Sequence, residues 1–215
     1  MIITRAFRFV RNSLRNIIRM YNRIRLRNRN FSVISGDCIG GVILHDLFLR
    51  FDTPTVNLYF SSEDFLKFCS RLKFYVSQEL KECILHEYTF PVGTLGEAED
   101  KINVYFMHYD SFQQAKQKWE ERCKRIHWDN LYFITNDRGS TPEKIIREFD
   151  SLPYEHKAII TFRDFDGVKS SVRLPDKYIK YLTDEKEFHT VLGYISRYSL
   201  RRVIDDWDYV SFLNA

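Results

Sequence analysis

Cys38 sits in Ser35-Gly36-Asp37-Cys38-Ile39-Gly40-Gly41, after a short apolar run and before a helical pattern, which places a thiol where a strand turns into a helix. Free N–H groups at a helix start favour negative charge and lower the pKa of a thiol there, while glycines let a ligand approach the backbone closely. Gly36, Asp37, Gly40 and Gly41 are therefore candidate substrate-binding residues for a phosphate or an oxyanion, and Cys38 is a candidate nucleophile or ligand-orienting residue. A small buried cysteine beside a turn built for close helix packing accounts for the same residues. The spacing matches neither a dinucleotide fingerprint nor a P-loop, since no lysine follows the glycines. His45 falls on the same helix face as Cys38, but about 10 Å along the axis. That separation is too long for direct proton transfer, so a packed or surface imidazole is expected.

His108, Tyr109 and Asp110 follow a strand pattern, a position from which His108 and Asp110 could serve acid/base catalysis or simply cap the next helix. Trp128 and Asp129 could offer a stacking face and a carboxylate to a sugar, or could seal the core and cap a turn. Asn136, Asp137 and Arg138 open a second possible anion site, with Arg138 to pair a phosphate, although a plain capped turn explains most of that loop. No Asp-x-Asp supports a metal-dependent nucleotide-sugar transferase, and no metal site is expected. Gly36-Asp37-Cys38 and Thr135-Asn136-Asp137 resemble two blocks of the SGNH hydrolases, but the C-terminal Asp-x-x-His pair of that family is absent from the sequence.

The elements that must position these residues alternate. Phe31 to Ser35 and Thr55 to Phe60 read as strands, with a helix from Ile39 to Phe51 between them and another after Ser61 or Ser62. A loop with Pro91, Gly93 and Gly96 leads to a strand from Ile102 to His108. Asp110 or Ser111 then caps a polar helix from Phe112 to about Ile126. Leu131 to Thr135 and Ala158 to Phe162 are further strands, flanking a helix that Thr141 caps and Pro142 opens toward Phe149. Two helices are expected near Asp176 to Tyr181 and Glu185 to Ser196. The pattern predicts an α/β fold, a layered and mostly parallel sheet with helices on both faces, whose ligand loops lie beyond the carboxyl ends of the strands.

With 215 residues the chain suits one α/β domain, 31–215, preceded by a basic arm, 1–30. Residues 1–36 hold nine arginines and neither lysine nor acid, leaving 24 basic against 29 acidic residues for the rest. On a helical wheel the arginines from Arg5 to Arg23 form one stripe, and Ile3, Phe7, Val10, Leu14, Ile17, Ile18 and Tyr21 another. Such a helix suits an anionic membrane surface contacted through residues 2–29, docking on its own domain or a partner, or an organelle-targeting presequence. The body carries no aromatic-interleaved basic patch, so nucleic acid is not expected as a partner. Four cysteines without paired spacing read as reduced thiols, and no 18-residue apolar run exists, which points to the cytoplasm with a peripheral hold on the membrane.

FSVISGDCIGGVILHDLFLRFDTPTVNLYFSSEDFLKF at 31–68, FPVGTL at 90–95 and INVYFMHYDSFQQAKQKWEERCKRIHWDNLYFI at 102–134 resemble the bacterial domain-of-unknown-function family 1919. Its members are often labelled exopolysaccharide or capsular polysaccharide biosynthesis proteins. Gly36-Asp37 stands where asparagines are common in that family. The resemblance implies an α/β fold and a setting in surface-glycan synthesis, without catalytic residues to carry over. The expected function is a transferase acting on a glycan precursor, an acyl transferase with acyl-CoA as the candidate donor. In it the Cys38 loop binds the anionic donor, and His108 with Asp110 gives acid/base help. The alternatives are a nucleotide-sugar glycosyltransferase using the Asn136 loop and Trp128, and a non-catalytic scaffold of an assembly complex.

Overall fold

Four consecutive buried residues make β1 (Ser32–Ser35), and they pair in parallel with β5 (Leu131–Asn136), Ser32 opposite Leu131. The computed structural model describes residues 2–137, 139–181, 187–195 and 199–215. β5 pairs in parallel with β6 (His156–Thr161), and β6 in parallel with β7 (Ser171–Arg173), giving the order β1-β5-β6-β7. A second, antiparallel sheet of order β2-β3-β4 joins Lys81–Cys83, Val92–Leu95 and Ile102–Tyr105. The chain is thus a mixed α/β protein with a mostly parallel main sheet. The β5 side chains alternate as a pleat requires: Tyr132 and Ile134 belong to one buried cluster with Ile39, Ile43 and Val210, and Phe133 to the other with Phe65, Phe68 and Trp119.

The helices are α1 (Ile2–Arg25), α2 (Cys38–Asp46), α3 (Ser62–Ser70), α4 (Leu72–Ser77), α5 (Phe112–Cys123), α6 (Glu143–Asp150), α7 (Glu187–Leu192) and α8 (Tyr209–Leu213). Ser61 and Ser111 cap α3 and α5, each hydroxyl accepting an N–H three residues on, as their sequence positions require. At α6 the cap position falls on Pro142, one residue later than expected, and the buried Thr141 hydroxyl meets Ser62 Oγ at 3.0 Å. Asp176–Tyr181 is a 3-10 helix, and α7 occupies part of the span expected from Glu185 to Ser196, whose residues 185, 186 and 196 lie outside the described residues.

Further expectations need correction. The predicted strand Thr55–Phe60 is irregular, because Asn57 takes φ +63° and the Thr55 hydroxyl replaces the ladder by accepting from Ser35 N–H. Its end still hydrogen-bonds both ways, Phe60 N–H to Gly36 O and Tyr59 with Tyr105, so it covers the free edge of β1 and ties the two sheets together. The predicted loop around Gly93 holds β3, and the strand from Ile102 stops at Tyr105 and lies in the antiparallel sheet, not the parallel one. Helix α2 ends at Asp46 rather than Phe51. Phe48 N–H reaches His45 O and Leu49 N–H reaches Leu44 O, a Schellman closure with Phe48 at φ +53° where glycine is usual.

Helix α1 lies on the body through its arginine side. Arg15 is buried and donates to Asp46 (2.7 Å) and Asp205 (2.5 Å), while Arg19 donates to His45 O at 2.6 Å and stacks over Phe48. Asn22 reaches Tyr209 and Arg25 reaches Asp208. Burial works against the Arg15 charge, but its two carboxylate partners hold the guanidinium protonated beyond its usual range. Among the described residues no helix is long and apolar enough to cross a membrane.

Candidate functional site

Asp37 stops β1 and starts α2: its carboxylate accepts from Ile39 N–H at 2.8 Å, and the Ser35 hydroxyl accepts from Gly40 N–H at 3.1 Å. The Ile39 and Gly40 amides are therefore spent inside the turn. Gly36 and Gly40 are packing glycines, since a Cβ would lie 2.7 Å from Thr135 Oγ1 at the first and 2.6 Å from Ser35 Cβ at the second. Beyond the turn, Cys38, Gly41, Val42 and His45 recur at the three- and four-residue spacing of one helix face. That face lines a pocket of about 440 Å³.

The opposite walls come from several other parts of the chain, Phe51 and Leu192 among them. His108 and Met107 arrive on the turn after β4, Asn57 on the irregular segment that covers β1, and Arg202 on the stretch before a 3-10 helix, Val203–Asp206. Cys38 Sγ lies 3.9 Å from both Leu58 O and Met107 Sδ. Arg202 is aimed by Asp46, 3.2 Å away, and its guanidinium sits 5.6 Å from the Tyr194 ring centroid. No carboxylate is among the described residues lining the pocket, and Arg202 brings a guanidinium to its wall. Burial pushes Cys69 well above the usual thiol range and, with Glu120, pushes Cys123 up to about 12.

Of the predicted site residues, Cys38, Gly41 and His108 come together here, with His45. Asp110 is exposed and does not line the pocket; its N–H donates to Gln114. Asn136 and Asp37 are buried and meet each other, Asn136 Nδ2 donating to the Asp37 carboxylate at 3.3 Å. Asp137 is fully buried and accepts from Gly139 N–H (2.7 Å), the Thr161 hydroxyl and Arg163 Nε (3.1 Å), an arrangement that ties β5 to β6. Arg138 lies outside the described residues. Trp128 and Asp129 precede β5, whereas Asn136 ends it, so about 17 Å of strand separates them. They are exposed at the opposite end of the strands from Cys38.

The sequence reading missed Arg202 and Asn57. Arg202 stands in an Arg201-Arg202 doublet 164 positions from Cys38, and nothing local marks it as facing a thiol. His45 carried a usable signal in its seven-residue offset from Cys38. The 10 Å between them excludes a direct hydrogen bond, but it suits two ends of one ligand.

Fold and pocket define a mixed α/β protein with a thiol, two imidazoles and a guanidinium around one cleft. The chain belongs to the family described as Domain of unknown function (DUF1919), whose pattern matches residues 9–214. It is similar to an uncharacterized protein of Haemophilus influenzae, 36% identical over 190 residues that span 88% of this chain and 87% of that protein.

Proposed function

We propose that the protein is a transferase of surface-polysaccharide synthesis that moves an acyl group to a glycan precursor through Cys38. The observation that carries this reading is that Cys38, His108 and Arg202, from three distant segments, line one pocket. Cys38 opens α2 on the wall of the pocket, where a donor's carbonyl can be brought to its thiol. In the reaction the thiolate attacks the acyl carbonyl, a new C–S bond forms, the bond to the donor's leaving thiol breaks, and His108 gives that thiol a proton. The acceptor hydroxyl then attacks the thioester, His108 takes its proton, and Cys38 leaves as thiolate. Arg202 pairs a phosphate of the donor or the precursor.

Four free cysteines suit a reducing compartment, and so the cytoplasm where acyl-CoA is found. The polysaccharide setting rests on the resemblance of the motifs at 31–68 and 102–134 to proteins carrying that label. The same reading takes the parallel sheet as a layer between the two buried clusters, with α2 and α8 on one face and α3, α5 and α6 on the other. Glycosyl transfer from a nucleotide sugar is the weaker alternative. In its diphosphate loop Asn136 is tied to Asp37, and Asp137 to Thr161 and Arg163, while its stacking residue Trp128 lies at the far end of the strands.

Thermal unfolding with candidate donors separates the two, since a ligand raises the midpoint only by binding the folded state. Acyl-CoA is expected to stabilise the protein, and Arg202→Met to remove most of that shift. Stabilisation by nucleotide sugars and not by acyl-CoA would overturn the assignment.

A further inference from the structure

Five of the nine exposed large hydrophobic side chains among the described residues lie on one helix: Leu14, Ile17, Met20, Tyr21 and Ile24 of α1. Their exposures run from 44% to 77%, which is unusual for residues of this size in a group. The cause is the docking of α1 described above. Its arginine side is turned inward onto Asp46, Asp205 and Asp208, which leaves the apolar side facing out.

That side has a definite spacing. Leu14, Ile17, Tyr21 and Ile24 are separated by three, four and three residues, and the alternation continues back in sequence through Val10, Phe7 and Ile3. A strict three-four alternation over 22 residues is the narrow seam of a coiled coil, not the wide face of a helix lying in a bilayer. The charges agree. On one flank of the seam stand Ala6, Ser13 and Met20, and on the other Thr4, Arg11, Ile18 and Arg25, so in a parallel pair no arginine of one copy opposes an arginine of the other. Arg15, Arg19 and Arg25, which a basic interfacial helix would offer to lipid headgroups, are engaged by carboxylates of the body.

We propose that α1 packs against α1 of a second copy of this chain, making an isologous dimer whose two bodies lie on the outer sides of a helix pair. The area suffices. The five exposed side chains of each copy need to bury only about 100 Å² apiece to reach the roughly 1,000 Å² of a stable interface. The inference does not depend on the transfer reaction.

Sedimentation equilibrium of the full chain tests it. The expected result is a species of twice 25.9 kDa. Ile17→Glu with Ile24→Glu should weaken its dissociation constant more than about 100-fold, with the helical circular dichroism retained because both side chains are exposed. If the glutamates disturb α1 itself, Ile17→Ser with Ile24→Ser gives the same readout. A wild-type chain that is monomeric at tens of micromolar, or variants that stay dimeric, would overturn the proposal. Flotation of a monomeric wild type with phosphatidylglycerol vesicles, lost in the same variants, would assign the seam to a bilayer and overturn it equally.

Discussion

Cys38 and Gly40 divide between them the roles that their shared turn suggested. The thiol faces a pocket with two histidines, whereas the glycine is there for contact, its missing Cβ leaving room for Ser35 and Val33. Gly40→Ala should therefore act on stability: the new methyl would lie 2.6 Å from Ser35 Cβ and 3.0 Å from Val33 Cγ1. Forcing one carbon into so close a fit costs about 1–3 kcal/mol, to be read as a fall in the urea midpoint with an unchanged slope. An unchanged midpoint would mean that the turn is looser than the packing indicates. The strand-to-helix placement of Cys38 was legible in the sequence because Gly36, Asp37 and the periodicity after Ile39 are local signals. The partner residues were not, since Arg202 and Asn57 reach the pocket only through long-range folding.

At the scale of elements, the parallel strands and their capped helices follow from runs such as Leu131–Asn136 and from Ser61 and Ser111, where one side chain decides one boundary. The boundaries that differed depend on tertiary partners. Helix α2 stops at Asp46 because Arg19 of α1 binds the His45 carbonyl and holds the Phe48 ring, stabilising a backbone conformation that phenylalanine rarely takes. Strand β3 was hidden because Gly93 and Pro91 read as a loop, whereas Gly93 is needed where Leu80 and Phe106 close over the strand. The joint between α1 and the body rests on buried charge, so its loss is costly. Arg15→Ala strands the Asp46 and Asp205 carboxylates in a site only about 5% exposed. Breaking a buried pair from one side costs about 3–5 kcal/mol, and the lower end applies because Arg19 and Arg202 still reach Asp46. Chemical denaturation measures this directly. A loss below about 1 kcal/mol would place the pair with surface ion pairs and contradict the docking of α1.

For the whole molecule, the charge division of the sequence explains the assembly: an arginine-only arm meets a body with excess carboxylate, and Asp46 joins that contact to the pocket by holding both Arg15 and Arg202. Mixed α/β architecture was readable from the alternation of elements. Which face of α1 would turn outward was not, because the wheel shows two stripes without saying that Asp205 and Asp208 wait for one of them. The transfer proposal locates all chemistry at the Cys38 end of the sheet and none at the Trp128 end. The most direct test is the surface-polysaccharide composition of cells in which the protein is replaced by Cys38→Ser, His108→Asn or Trp128→Ala. Loss of the acyl substituent with the first two and wild-type product with the third is the predicted result. Unchanged product from both Cys38→Ser and His108→Asn would contradict the account.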